Sequence, residues 1–243
     1  MDSVVMNVIK DFCDKNSIEM PEETLSGFDL LCKSLLEFNS HTNLTAIRDE
    51  CGVAVKHFAD SLSSLIFNLI PKNSKVIDIG CGAGFPGLPL AHTRRDLSVT
   101  FLDSTAKKLK FTEKACRELS IDADFLPVRA EEVAFDKRYR EKFDIAVSRA
   151  VASLPVLLEL SLPFVKVGGT FIAYKATGAL DELELSKKAI PALGGKYIET
   201  YKVELPKSCD GEELNHSLIV IKKVKNTPTQ YPRRYAQMVK KPL

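Results

Sequence analysis

Residues 76–91 read VIDIGCGAGFPGLPLA, an apolar run that breaks into four glycines within eight residues. Nothing else in the chain constrains the fold as strongly. Clustered glycines let a backbone take positive φ and approach a ligand closely where a strand gives way to a helix. Pro86 and Pro89 suit the first turn of that helix, where a missing N–H costs little. A tight turn that holds nothing does not need four glycines. Two spacings overlap in it: G-x-G-x-x-G through Gly82, Gly84 and Gly87, and D-x-G-x-G-x-G through Asp78, Gly80, Gly82 and Gly84.

The flanking pattern is uneven. Before residue 72 the apolar spacing is helical: Val4, Val5, Val8, Ile9 and Phe12, then Leu25, Phe28, Leu31, Leu35 and Phe38, then CGVAVKHFADSLSSLIFNLI up to Pro71. From Lys75 strands and helices alternate. KVIDIG, SVTFLD, ADFLPVRAEE, FDIAVSRA and TFIAYK hold five strands, and YIETYKVEL and SLIVIKKV two more with only a loop between them. Alternation predicts a parallel sheet covered on both faces, and the closing pair an antiparallel hairpin. The chain therefore divides into a helical cap (1–71), a sheet domain (72–225) and a tail (226–243). The fold class is α/β, a mostly parallel class I (Rossmann-like) sheet with a C-terminal antiparallel hairpin and an N-terminal helical cap.

That ending decides between the two glycine spacings. A dinucleotide fold is parallel throughout, whereas a parallel sheet finished by an antiparallel hairpin is the methyltransferase variant. Asp78 points the same way, because an acid two residues before the first glycine is unusual in a dinucleotide strand. The expected cofactor is S-adenosylmethionine rather than NAD. Asp103, about twenty residues past the loop, suits the ribose hydroxyls of either. Ala130 and Glu131, after the third strand, stand where such enzymes contact adenine. Glu131 also fits the first turn of a helix.

Composition removes other classes. No apolar run approaches the ~20 residues of a membrane span, and the start MDSVVMNVIKDFCDK lacks a signal-peptide pattern. The six cysteines (Cys13, Cys32, Cys51, Cys81, Cys116 and Cys209) form neither a disulfide framework nor a zinc site. The cytoplasm is the expected compartment, and no metal is expected. Net charge is +2, but residues 214–243 carry seven basic groups and no acid, leaving 27 basic against 32 acidic elsewhere. Such a tail fits a polyanionic partner or a solvated terminus.

The fourth strand ends in AVSRA. It lacks the D/N-P-P-Y/F that receives exocyclic amines, a cysteine for attack on pyrimidine carbon, and the acid–lysine set for ribose 2′-hydroxyls. Cys81, inside the glycine loop, reads as a small space-filling residue. An acceptor that is already nucleophilic remains, such as guanine N7, which needs orientation and dryness rather than a base. Arg149, at the strand's carboxyl end, either orients a base edge or carboxylate or forms a structural ion pair.

Several stretches together closely resemble one family. NLTAI (43–47), HFADSL (57–62), DIGCGAGFPGLPLA (78–91), SRAVASL (148–154), GG followed by YK (168–175) and YPRRYAQMVKKPL (231–243) are similar to the RsmG family, also called glucose-inhibited division protein B. The resemblance implies a bacterial 16S ribosomal RNA guanine-N7 methyltransferase using S-adenosylmethionine and acting on the RNA or the small subunit; a monomer is expected. A small-molecule methyltransferase and a non-catalytic ribosome-assembly factor are the alternatives. It implies cofactor contacts at Gly80, Phe85, Ala130, Glu131 and Arg149, to which the ribose argument adds Asp103. Arg233, Arg234, Lys240 and Lys241 are the expected RNA contacts. The family tail runs Y-P-R-x-x-G-x-P-x-K-x-P-L; Ala236 and Met238 replace its glycine and proline, so its path is not given by the resemblance. His57 and Asp60 read as a helix-surface or capping pair rather than a catalytic one. Asn39 and Asn43 either contact RNA or stabilise their turn.

Overall fold

The computed structural model describes residues 3–176, 178–207, 211 and 214–243, so Cys209 lies outside the described residues. Helix α1 (Val4–Lys15) is capped by Ser3, whose hydroxyl accepts from Met6 N at 3.4 Å. Helix α2 (Glu22–Thr42) ends on Asn43, a residue type that tolerates the left-handed φ of 52° found there. The third helical stretch is one rod of three parts. A single turn, α3 (Glu50–Gly52), leads into a π-helical segment (Val53–Ala59) and then α4 (Asp60–Ile66). The expected apolar stripes are buried through Val5, Ile9 and Phe12 and through Leu25, Phe28, Leu31 and Leu35; Val4 lies off the stripe and is exposed.

All seven anticipated strands form: β1 (Lys75–Ile79), β2 (Ser98–Leu102), β3 (Ala123–Leu126), β4 (Phe143–Arg149), β5 (Val165–Lys175), β6 (Gly195–Glu204) and β7 (Asn215–Lys223). They make one sheet in the order β3-β2-β1-β4-β5-β7-β6. The first five are parallel, and β7 runs antiparallel to both neighbours. Between them lie α5 (Gly87–Thr93), α6 (Ala106–Glu118), α7 (Ala130–Val133), α8 (Leu154–Ser161), α9 (Ala179–Leu185) and α10 (Ala189–Ala192), and α11 (Tyr235–Lys240) closes the chain. The expected helix LDELELSKKAI is broken into α9 and α10. Among the described residues no helix is long and apolar enough to cross a membrane.

Each face of the sheet carries a core. Phe28 and Phe58 of the cap share one with Leu88 of α5 and Phe111 of α6. On the other face Leu157, Phe164 and Met238 pack together. The boundaries at 71 and 226 thus mark changes of pattern along the chain, while the cores run across them.

Strand alternation places the site. Side chains alternate between faces with period two. In β4, Ile145 and Val147 join the cap-side core, so Arg149 continues that face; in β5 Ile172 and Tyr174 do the same, and in β7 Leu218. His216 shares Leu218's face. Arg149 and Tyr174 are directly paired across β4 and β5, and Tyr174 pairs Leu218 across β5 and β7. Three adjacent strands therefore aim polar side chains at the π-helical rod. The crevice lies where the order reverses between β1 and β4, the switch point at which such sheets bind ligands.

Candidate cofactor and substrate site

The glycine loop is built by its own backbone and two carboxylates. Gly80 N and Cys81 N donate to Leu102 O at 2.7 and 3.1 Å, tying the loop to the end of β2. Gly80, Gly82 and Gly84 have φ of 67°, 58° and 91°, whereas Gly87 has no positive φ. The D-x-G-x-G-x-G spacing is thus the one whose glycines the backbone demands. Gly87 serves close packing instead: a Cβ there would lie 2.8 Å from both Asp78 Oδ2 and Phe101 Cε1. Asp78 Oδ2 accepts from Gly87 N at 2.7 Å at the start of α5, and its Oδ1 is buried without a partner. Burial pushes this carboxyl up to about 7. Asp103 accepts from Gly82 N at 2.9 Å and Thr105 N at 2.7 Å, two of the roughly four bonds a carboxylate can take.

Two adjoining cavities open at the carboxyl ends of the strands. One, of about 330 Å³, is lined by Gly80, Asp103, Ala130 and Glu131, with Lys108 and Val151. The other, of about 500 Å³, is lined by Phe85 and Arg149, with Thr45, His57, Lys175 and His216. They share Gly80, Lys108 and Ala150. All six expected cofactor residues are thereby brought together. Glu131 takes the first-turn place in α7 as well as facing the cavity. The residues fit S-adenosylmethionine: a Cβ on Gly82 would meet nothing within 4 Å, leaving an open floor, and Asp103 retains acceptor capacity for a diol.

Arg149 is the hub of the second cavity. Its Nη1 donates to Asp60 Oδ2 at 2.6 Å and Lys56 O at 3.0 Å, and its Nη2 to His57 Nδ1 at 3.1 Å. His57 Nδ1 is therefore the acceptor, so Nε2 carries the hydrogen and donates to Thr45 Oγ1 at 3.0 Å. The ring lies flat on Phe85, centroids 4.6 Å apart and planes 3° from parallel. Burial, reinforced by the Arg149 charge, drives His57 down to about 3, so it is neutral. Asp60 is 1% exposed and accepts from His216 Nδ1 at 2.8 Å on its other oxygen. Burial works to raise its pKa, but the His216 hydrogen bond and the Arg149 charge overcome that and hold it below the usual carboxylate range. Tyr174 adds a hydroxyl bonded to Ser61 O at 3.0 Å and Ser64 Oγ at 2.7 Å.

Known proteins can now be set beside this geometry. The GidB family model, described as rRNA small subunit methyltransferase G, matches residues 24–208. The chain belongs to the GidB family. A relative named ribosomal RNA small subunit methyltransferase G, from Alkaliphilus oremlandii, is 42% identical over 98% of each chain. One of the same name from Acetivibrio thermocellus is 45% identical over 93% of this chain and 91% of its own. Solved structures share the fold at low identity. A SAM-dependent methyltransferase from Methanosarcina mazei aligns with a TM-score of 0.52 at 18% identity, covering 66% of this chain and 97% of its own. TrmN from Thermus thermophilus aligns at 0.51 and 20% identity, covering 68% and 48%.

Some GidB-type positions stand differently from the reading of the sequence. His57 and Asp60 are not a surface or capping pair: Asp60 is buried, His57 is half-buried, and both hydrogen-bond Arg149 at the end of β4. Asn39, 2% exposed, stabilises its turn, donating to Thr45 O at 2.9 Å and accepting from Thr45 N at 3.0 Å. Asn43 caps α2. Of the expected RNA contacts, Arg233 is engaged within the protein. It grips Glu159, which is 0% exposed, through Nη2 at 2.7 Å and Nε at 2.9 Å, and its Nη1 donates to Lys241 O at 3.1 Å. Its donors anchor the tail to α8. Arg234, Lys240 and Lys241 remain exposed. The tail itself is folded, with Met238 fully buried where the family pattern has proline.

Ala150 and His216 went unnoticed in the sequence. Ala150 has φ 56°, a region that costs an L-residue roughly 1–2 kcal/mol, and it lines both cavities. Nothing in its sequence neighbourhood signals this. For His216 the strand alternation with Leu218 was a usable signal.

Proposed function

We propose that this protein transfers the methyl group of S-adenosylmethionine to N7 of a guanine in 16S ribosomal RNA. Family membership supports the reaction class, and one observation carries the chemistry: in the polar cluster beside the cofactor residues neither His57 nor Asp60 is a free base. Both His57 nitrogens are committed, and Asp60 is bonded on both oxygens. Guanine N7 has a lone pair and no proton to lose, so none is required.

When bound, S-adenosylmethionine supplies an electrophilic methyl on a cationic sulfur. The protein's residues then have three tasks. Asp103 would hold the ribose hydroxyls, and Ala130, Glu131 and the Gly80–Gly84 backbone would hold the rest of the group. Phe85, backed by the flat His57 ring, makes an apolar wall that excludes water and fixes the angle of attack. Arg149 directs its guanidinium into the cavity while Asp60 neutralises it, so the site does not repel a cationic donor. No side chain here would need to take or give a proton. Arg234, Lys240 and Lys241 hold RNA phosphates.

The test is to incubate the protein with methyl-labelled S-adenosylmethionine and small-subunit RNA lacking the modification. Label in the RNA supports the reading, and RNA that stays unlabelled defeats it.

A further inference from the structure

The 330 Å³ cavity has a wall that the cofactor loop does not supply. Tyr235, the first residue of α11, lines it together with Leu160 and Val151. It comes from the C-terminal tail, more than eighty residues beyond the other lining side chains except Leu160, which is seventy-five away. We infer that Tyr235 is a cofactor-binding residue, an aromatic wall contributed by the tail against which the adenine ring of S-adenosylmethionine packs.

Three observations carry this. The tail is fixed rather than loose: Arg233, two residues before Tyr235, is clamped on buried Glu159, and Met238, three residues after it, is fully buried in the core shared with α8. The tyrosine is thus held from both sides at the cavity rim. Second, Tyr235 is 37% exposed although its helix is docked, so its ring retains surface for a ligand to cover. Third, the neighbouring lining is right for a flat heteroaromatic ring. Ala130 and Val151 offer apolar contact, whereas Asp103 and Lys108 occupy the polar part of the lining. Stacking on a tyrosine face needs no sequence-specific hydrogen bond and typically changes affinity by one to two orders of magnitude.

The inference rests on the proposed use of S-adenosylmethionine, and the experiment separates the two. Calorimetric titration of S-adenosylmethionine into the full-length protein, without RNA, is run on the wild type, Tyr235→Ala, Tyr235→Phe and Val239→Ala. Val239 is exposed on the same helix and controls for disturbance of α11. The expected result is a Kd raised about tenfold in Tyr235→Ala, with Tyr235→Phe and Val239→Ala within about twofold of wild type. Thermal unfolding checks that all four stay folded with α11 docked. Tyr235→Ala binding like wild type overturns the inference. Equal losses in Tyr235→Phe or Val239→Ala also overturn it, since the effect is then not the ring. A wild type that does not bind S-adenosylmethionine overturns the proposed function itself.

Discussion

Asp60 Oδ2 lies 2.6 Å from Arg149 Nη1, joining a helical cap to the carboxyl end of a central strand at the mouth of the cofactor cavities. Asp60 is 1% exposed at the side chain and Arg149 12%. Removing one partner of a buried ion pair strands the other, at about 3–5 kcal/mol. Asp60→Ala is therefore expected to lower unfolding free energy by about 3 kcal/mol in urea titration. Arg149→Lys keeps the charge but loses the fork, and is expected to lower kcat/KM about 100-fold. A stability unchanged in the first variant contradicts the buried pair.

His57 is not the base. Gln at 57 can still accept from Arg149 and donate to Thr45, so His57→Gln should retain methyl transfer within about tenfold, whereas loss of a general base costs about 100-fold or more. A rate collapse beyond that range, measured under single-turnover conditions, argues for proton transfer at this ring.

His57 and Asp78 pull stability in opposite directions with pH. His57 falls from 6.5 to about 3 on folding, so the unfolded chain binds more protons between those values and stability is lost as pH falls through that window. Asp78 rises from 3.8 to about 7, so its contribution is complete below about 4 and is lost as pH rises through 7. Asp78→Asn mimics the protonated carboxyl. It should flatten the decline in stability between pH 4 and 8, measured by denaturant titration across that range, and an unchanged slope contradicts the assignment.

Gly80→Ala should abolish S-adenosylmethionine binding, because φ is 67° and the new Cβ would lie 2.5 Å from Val151 Cγ2. Calorimetry gives the answer directly, and retained affinity rules out the loop geometry.

On the proposed function, the tail's basic residues divide into anchors and RNA contacts. Arg233→Ala leaves Glu159 buried and unpaired, and is expected to cost about 3 kcal/mol and to expose the tail to proteolysis. Lys240→Ala should leave stability within about 0.5 kcal/mol while reducing the salt dependence of RNA binding by about one contact. Similar stability losses in both variants contradict this division.

The sequence carried the sheet because period-two and period-3.6 patterns are local; all seven strands formed, β5 beginning five residues before the TFIAYK that was read. Asp78 and the antiparallel ending separated the two glycine spacings, which the backbone angles then resolved in the same direction. Arg149 was visible as a strand-end cation, but not its partners. His57 and Asp60 read as an ordinary surface pair, since nothing in HFADSL shows the π-helical turn that holds His57 or the Arg149 that both residues meet. His216 lies 156 residues from Asp60, so only tertiary packing joins them. Charge made Arg233 look like its neighbour Arg234, although Glu159, deep in LPVLLELSLPF, needed a cation and took it. Six-residue α11 was not read from the sequence, although Ala236 and Met238 are helix-compatible residues where the family pattern has glycine and proline.

The most direct test of the central claim is N7-specific strand scission. Small-subunit RNA lacking the modification is treated with the protein and S-adenosylmethionine, reduced with borohydride and cleaved with aniline, both as naked RNA and as assembled subunits. The account predicts protein-dependent cleavage at a single guanine in at least one of the two substrates. Methyl incorporation without cleavage at any guanine, or no incorporation into either substrate, would contradict it.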